Sequence, residues 1–91
     1  MLRTVTMYKY EVGIEEMKQA EDGRYELVQV PLCEVEFSTM TPADMRRAIK
    51  AAGFECPRGA QVYATRKEKI TYKYDLAKLL EIAESREVES L

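Results

Sequence analysis

The chain has 91 residues, of which 46% are hydrophobic and 33% are charged, and its formal net charge is −2. This length suits one domain with a modest core, and the composition is typical of a folded globule rather than a disordered chain. The chain contains no histidine, so the commonest general base and the commonest metal ligand in proteins are both missing.

The sequence predicts neither a targeting segment nor a membrane span. The first six residues, Met-Leu-Arg-Thr-Val-Thr, lack the basic and apolar regions of a signal peptide, and no apolar run approaches the roughly 18 residues of a membrane span. The two cysteines, Cys33 and Cys56, form no Cys-x-x-Cys pair. We therefore expect a cytoplasmic protein with two free thiols, without metal or cofactor, and without a membrane partner.

The first elements along the chain are two strands that we expect to form a long, bent hairpin over residues 3–37. The first strand is rich in β-branched and aromatic residues, and Asp22-Gly23 is a turn signal because it readily supplies the positive φ of tight hairpins. The apolar alternation of the second strand changes parity at Val30-Pro31. Since side chains alternate with a period of two, this change predicts a bulge or a bend.

A helix is expected next, over residues 41–53. Thr41 is a suitable N-cap, Pro42 fits the first helical position, and Asp44 occupies the capping-box position. Gly53 is a suitable C-terminal stop. The apolar stripe of this helix consists of Met45, Ala48, Ile49 and Ala52.

The rest of the chain predicts a second hairpin over residues 61–74, with a tight turn near 67–69, and a second helix over residues 75–86. The apolar side of that helix would consist of Leu76, Leu79, Leu80, Ile82 and Ala83. The order is therefore ββαββα within a single domain, residues 1–91. The predicted fold class is α+β: an antiparallel sheet of about four strands with two helices packed on one face.

Two strands contain the same three residues, Tyr-Lys-Tyr. In the later one, Tyr72 and Tyr74 alternate with polar residues, which predicts that both rings face the core under the helices. In the earlier one the alternation of apolar and polar residues is less regular. We therefore expect Tyr8 and Tyr10 to be the more exposed pair and to contact a partner.

Charge is distributed unevenly along the chain. Residues 11–36 contain eight acidic and two basic residues, a net charge of −6, whereas residues 46–78 contain nine basic and three acidic residues, a net charge of +6. Such asymmetry is typical of a surface that binds a charged partner.

We interpret the chain as a small non-enzymatic binding module that regulates or inhibits a protein partner. Tyr25 and Tyr63 are further aromatic residues of the type that anchors interfaces. The candidate partner-binding residues are Tyr8, Tyr10, Arg46, Arg47, Lys50, Arg66, Lys67, Lys69 and Lys73. A candidate acidic hairpin surface, suited to a basic groove, consists of Glu15, Glu16, Glu21 and Asp22.

Three alternatives remain open at this point. The basic segment 46–78 favours nucleic-acid binding, although the chain as a whole is acidic and carries no familiar nucleic-acid motif. The charges would also suit a homodimer in which acidic and basic patches pair, or a surface that only keeps the fold in solution. An enzyme is disfavoured because Cys56 has no histidine base and the acidic residues lie on strand and hairpin surfaces.

In size and composition the chain is similar to small accessory proteins of phages and mobile elements, including inhibitors of host defence. The features that carry this likeness are a short single domain without histidine or tryptophan and without catalytic motifs. The likeness implies a regulatory role towards a protein, and it assigns no role to an individual residue.

Overall fold

The structure, a computed structural model, describes residues 1–77 and 82–91. Its elements in chain order are β1 (Leu2–Gln19), β2 (Tyr25–Phe37), α1 (Pro42–Ala51), β3 (Gln61–Asp75) and β4 (Ser85–Ser90). All strand pairs are antiparallel, and the strands are arranged in the order β2-β1-β3-β4. β1 and β3 therefore form the centre of the sheet, and β2 and β4 form its edges.

Helix α1 covers one face of the sheet, here called the helix face, and the opposite face is called the open face. On β1 the side chains of Tyr10 and Val12 lie on the helix face and are buried with Ile49 of α1. Because side chains alternate along a strand, the odd-numbered residues of β1 lie on the open face. Two further residues, Tyr63 and Ile70, are buried on the open face, where the described residues 1–77 and 82–91 place no helix.

The predicted fold class is wrong, because the described residues contain one helix rather than two. A second helix was expected over residues 75–86, but Leu76 and Ala77 form a turn in which the Ala77 N–H donates to Asp75 Oδ1 at 2.9 Å. Residues 85–90 form β4, where Val88 pairs with Ile70 of β3. The part of the predicted helix at 78–81 lies outside the described residues.

The second hairpin, predicted over residues 61–74, is also wrong. The segment is one continuous strand, β3, with a register shift: Glu68 pairs with Lys9 and Arg66 pairs with Tyr10, so Lys67 is an extra residue without a partner on β1. Lys67-Glu68-Lys69 has no Gly, Asn or Asp to adopt the positive φ of a tight turn. An extra residue in the strand is thus accommodated as a bulge.

The first hairpin agrees with the sequence in its main features. Val12 pairs with Cys33 and Gly13 pairs with Pro31, so Leu32 is an extra residue, and the bulge predicted next to Pro31 is confirmed. The side chain of Leu32 packs against the core. Helix α1 begins at the predicted position.

The N-terminus of α1 has the predicted capping box. Thr41 Oγ1 accepts from the Asp44 N–H at 3.2 Å, and the Asp44 carboxylate accepts from the Thr41 N–H at 3.0 Å. These hydrogen bonds from Thr41, together with the hydrogen bond from Arg47, lower the pKa of the Asp44 carboxyl. No helix within residues 1–77 and 82–91 has the length and apolar character needed to cross a membrane.

Candidate functional site

The end of the β1–β2 hairpin projects beyond the rest of the sheet. β3 pairs with β1 only as far as Glu15, opposite Gln61, whereas β1 and β2 continue to pair as far as Gln19 and Tyr25. Residues 16–28, here called the hairpin arm, therefore form a two-stranded ribbon, with no third strand beside it in the part of the chain that the structure describes. The arm gives the molecule an elongated shape of 62 × 25 × 17 Å.

One side of the hairpin arm is apolar and exposed. Met17 pairs directly with Leu27, and Tyr25 pairs with Gln19 one step nearer the tip, so the three large side chains are neighbours on the open face. Their exposed fractions are 61% for Met17, 67% for Tyr25 and 60% for Leu27. These residues are here called the apolar patch. Exposed apolar patches are candidates for interaction sites.

Acidic residues lie at both ends of the apolar patch. Glu15 lies at the root of the arm on the open face, and Glu21 and Asp22 lie in the turn at its tip. Glu16 and Glu26 project from the opposite side of the ribbon, so five acidic residues belong to the arm and its root. The two basic residues there are Lys18 and Arg24, which leaves a net charge of −3.

The tip of the arm has a defined turn. Gly23 has a φ of +85°, its N–H donates to the Ala20 carbonyl at 3.0 Å, and the Ala20 N–H donates to the Arg24 carbonyl at 2.7 Å. Asp22 Oδ1 accepts from the Arg24 N–H at 3.0 Å. The positive φ explains why glycine occupies this position. The turn fixes the register that places the three members of the apolar patch side by side.

The root of the arm depends on close packing between Gly13 and Tyr63. A Cβ atom at Gly13 would lie 2.0 Å from the Val30 carbonyl oxygen and 2.8 Å from Tyr63 Cε1, so only glycine fits. The Tyr63 hydroxyl donates to Glu11 Oε2 at 3.0 Å. Burial, with that hydrogen bond as the second cause, raises the pKa of Tyr63 to about 12. The aromatic ring thus fills the space that glycine leaves and joins β3 to β1 where the arm starts.

The tyrosines that were expected to be exposed are not a free surface. Tyr10 is only 4% exposed and belongs to the core, and Tyr8 is half-buried against it. The guanidinium of Arg66 lies 4.0 Å from the centre of the Tyr8 ring, and Arg66 Nε donates to the Tyr10 hydroxyl at 3.1 Å. The Tyr10 hydroxyl donates in turn to the Ser38 carbonyl oxygen at 3.3 Å. The expectation of exposure is therefore wrong for Tyr10, and Arg66 is held by the two rings.

The other Tyr-Lys-Tyr stretch was also assigned to the wrong side of the sheet. Tyr72 pairs with Val5, an odd-numbered residue of β1, so Tyr72 and Tyr74 lie on the open face rather than under α1. Both are half-buried. The Tyr72 hydroxyl donates to the Glu36 carboxylate and accepts from Arg86 Nε at 3.3 Å. The error arises because the two rings were placed with Ile70 under the helices, whereas Ile70 is buried on the open face.

The basic residues of β3 that the sequence analysis grouped together are divided between the two faces of the sheet. Lys67 contacts Glu11 on the open face at 3.9 Å. Arg66, Lys69 and Lys73 pair with Tyr10, Tyr8 and Thr4, so they lie on the helix face, where Lys73 also contacts Glu87 of β4 at 3.4 Å. None of these residues lies at a hairpin tip.

The basic residues of α1 are also separated from each other. Arg47 forms an ion pair with Asp44 within the first turns of the helix. Arg46 and Lys50 instead line a hollow together with Arg58 from the loop before β3. Arg46 and Arg47 are thus adjacent in sequence but lie in two different environments.

A charged network on the open face was not foreseen. Lys9 of β1 contacts Glu34 of β2 at 3.0 Å and Glu68 of β3 at 4.0 Å. The hydrogen bond to Glu34 is the main reason that the pKa of Lys9 is raised. Surface pairs of this kind contribute little to stability.

The members of the apolar patch were mostly missed by the sequence analysis. Tyr25 was considered as an anchor, but Met17 and Leu27 were not, because the alternation of Val28 and Val30 defined the buried side of β2. The sequence does contain an indication of the patch, because Tyr25 and Leu27 are two residues apart and therefore share the side of β2 opposite to Val28 and Val30. Only the pairing of Leu27 with Met17 shows that the two strands contribute to one patch.

Comparison of the chain with protein-family models, with curated proteins and with solved structures gave no match. In residues 1–77 and 82–91 no group of three or more His, Cys, Asp or Glu side chains could hold a metal ion. Cys33 and Cys56 are free and half-buried, and burial raises the pKa of the Cys33 thiol. The candidate site with the clearest geometry is therefore the apolar patch with the acidic residues at its ends.

Proposed function

We propose that this chain is a non-enzymatic binding module that regulates a protein partner in the cytoplasm, and that the hairpin arm is its docking element. The observation that carries the proposal is the exposure of Met17, Tyr25 and Leu27, each at least 60% exposed, on a projecting ribbon. An isolated two-stranded ribbon is marginally stable in water. Contact with a partner would cover the patch and stabilise the ribbon.

The composition of the arm matches the usual anatomy of a protein interface. Tyrosine and methionine are enriched at the centres of interfaces, and charged residues are enriched at their rims. In the arm the centre consists of Met17, Tyr25 and Leu27, and the rim is acidic at Glu15 and at the turn 21–22. A few central side chains usually dominate the binding free energy.

The charge of the arm favours a basic partner over a second copy of the chain. Two arms in contact would bring together two segments that each have a net charge of −3, and like charges at an interface are costly. A protein surface with an apolar pocket bordered by Lys or Arg would complement both the patch and its rim. Occupation of such a groove would block whatever else binds there, which is the means of regulation that we propose.

The experiment compares variants of the patch for binding to a partner captured from the source cells and then purified. We expect Leu27→Ser and Tyr25→Ser each to weaken binding about 10- to 100-fold, as truncation of central interface residues does. Leu2→Ser is the matched control, because Leu2 is 64% exposed but lies at the start of β1, at the end of that strand opposite to the arm. We expect its affinity to stay within about twofold of the wild type.

The same assay tests the role of the acidic residues at the rim. We expect Glu21→Lys to slow association and to reduce its dependence on salt, because rim charges act mainly on the rate of encounter. Equal loss of binding in Leu2→Ser and Leu27→Ser would contradict the proposal, as would a captured species that is only a second copy of this chain.

A further inference from the structure

A hollow of about 580 Å³ lies between α1 and the loop that leads to β3, and it is lined by three cationic side chains. Arg46 and Lys50 are four residues apart on α1, so they project from the same side of the helix. Arg58 joins them from the loop. Cys56 and Gly59 complete the lining.

The loop that carries Arg58 is held at both ends. Gly53, with a φ of +91°, ends the helix, and its N–H donates to the Lys50 carbonyl at 3.0 Å. Cys56 packs against the core, and the Ala60 N–H donates to the Pro57 carbonyl at 3.0 Å to close a turn. The position of Arg58 within that turn is therefore set by the fold.

The three cations have no acidic partner in the part of the chain that the structure describes. None of Arg46, Lys50 and Arg58 forms an ion pair, and no carboxylate lines the hollow. Five other basic side chains, Lys9, Arg24, Arg47, Lys67 and Lys73, each contact a carboxylate, whereas Arg3, Lys18 and Lys69 stand apart from each other and form no ion pair within the described residues. Like charges four residues apart on a helix are destabilising, and an anion in the hollow would offset that cost.

We infer that this hollow binds a phosphate group. Arginine presents a planar fork that matches phosphate oxygens, and lysine adds a point charge. Gly59 has a φ of +90° and no atom within 4 Å of the position a Cβ would take, so the ligand can approach the backbone there. The site shares no residue with the hairpin arm, so it does not rest on the proposed function.

The test follows the backbone amides of the protein by NMR during addition of sodium phosphate, with sodium chloride at matched ionic strength as the reference. We expect saturable shifts at Arg58, Gly59 and the last turn of α1. Arg58→Ala and Lys50→Ala, both at exposed positions, should each weaken binding about tenfold, because each removes a charge-assisted hydrogen bond. Arg47→Ala is the matched control and should stay within about twofold.

A second experiment identifies the source of the phosphate by adding a short oligothymidylate. If the ligand is a nucleic-acid backbone, the oligonucleotide binds more tightly than inorganic phosphate, and Arg58→Ala lowers the slope of log affinity against log salt by about 0.7. If the ligand is a small phosphate compound, inorganic phosphate competes and the oligonucleotide adds nothing. Shifts equal to those with chloride, or equal losses in Arg47→Ala and Arg58→Ala, would overturn the inference.

Discussion

At the scale of single residues, Gly13 and Tyr63 show how a large aromatic ring is buried on the open face of the sheet. The missing side chain at Gly13 is replaced by the Tyr63 ring, which is 6% exposed and tied to Glu11 by its hydroxyl. A deprotonated phenol at that position would face the Glu11 carboxylate with little access to water. The stability of the fold should therefore depend on the protonation of Tyr63.

This dependence gives a prediction for alkaline pH. The pKa of Tyr63 is raised from 10 to about 12, so its contribution to stability is complete below pH 10 and is lost as the pH rises towards 12. A shift of that size corresponds to about 2–3 kcal/mol of unfolding free energy. We expect the difference in unfolding free energy between wild type and Tyr63→Phe, measured with urea, to fall across this interval.

The variant also serves as the spectroscopic control. The phenolate absorbance that titrates near pH 12 in the wild type should be missing from Tyr63→Phe. At neutral pH the variant should be less stable by about 1 kcal/mol, because it loses one hydrogen bond. A stability difference that stays constant from neutral pH to pH 12 would contradict this account of Tyr63.

At the scale of elements, local chemistry made part of the structure predictable. The capping box at Thr41 and the turn at Asp22-Gly23 act through neighbouring residues, so the sequence alone predicts them. The parity change next to Pro31 likewise predicted the bulge at Leu32. These features lie in the first hairpin and in α1, where the predictions were confirmed.

The later elements were mispredicted because non-local contacts decide them. The bulge in β3 exists only in relation to its partner β1, and Val88 becomes part of a strand only by pairing with Ile70. Residues 85–90 form a short, mostly polar segment, and such a segment is also typical of the frayed end of a helix. The same reason explains the candidate site: the apolar patch arises from the pairing of Met17 with Leu27, which no single segment displays.

The cap of α1 supports a prediction at this scale. We expect Thr41→Ala to lower the free energy of unfolding by about 1 kcal/mol, because the Asp44 N–H loses its acceptor at the start of the helix. Thr39→Ala, in the exposed loop before the helix, should change it by less than about 0.5 kcal/mol. Chemical denaturation of both variants provides the measurement, and equal effects would show that the cap does not hold the helix.

At the scale of the whole molecule, the shape follows from the length of β1. A strand of 18 residues spans about 60 Å at ~3.3 Å per residue, close to the longest dimension of 62 Å. A compact domain of this length would have a radius of gyration of about 12 Å, whereas the Cα value here is 17.5 Å. The difference reflects the two-stranded arm, which has no core of its own.

Small-angle X-ray scattering tests this shape directly. We expect a radius of gyration close to 17.5 Å and a maximum dimension near 62 Å at a mass of 10.5 kDa. A radius near 12 Å would mean that the arm folds back onto the sheet. A mass of twice that value would mean that two copies cover each other's patches, in conflict with the charge argument for a different partner.

The central claim is that the hairpin arm is the surface that meets the partner, and site-specific photo-crosslinking tests it most directly. A photo-reactive residue would replace Gln19, which pairs with Tyr25 beside the apolar patch, or Thr4, which is exposed on the same strand at the other end of the sheet. We predict that the Gln19 position crosslinks to the basic partner and that the Thr4 position does not. Crosslinking from Thr4 alone, or equally from both positions, would contradict the account.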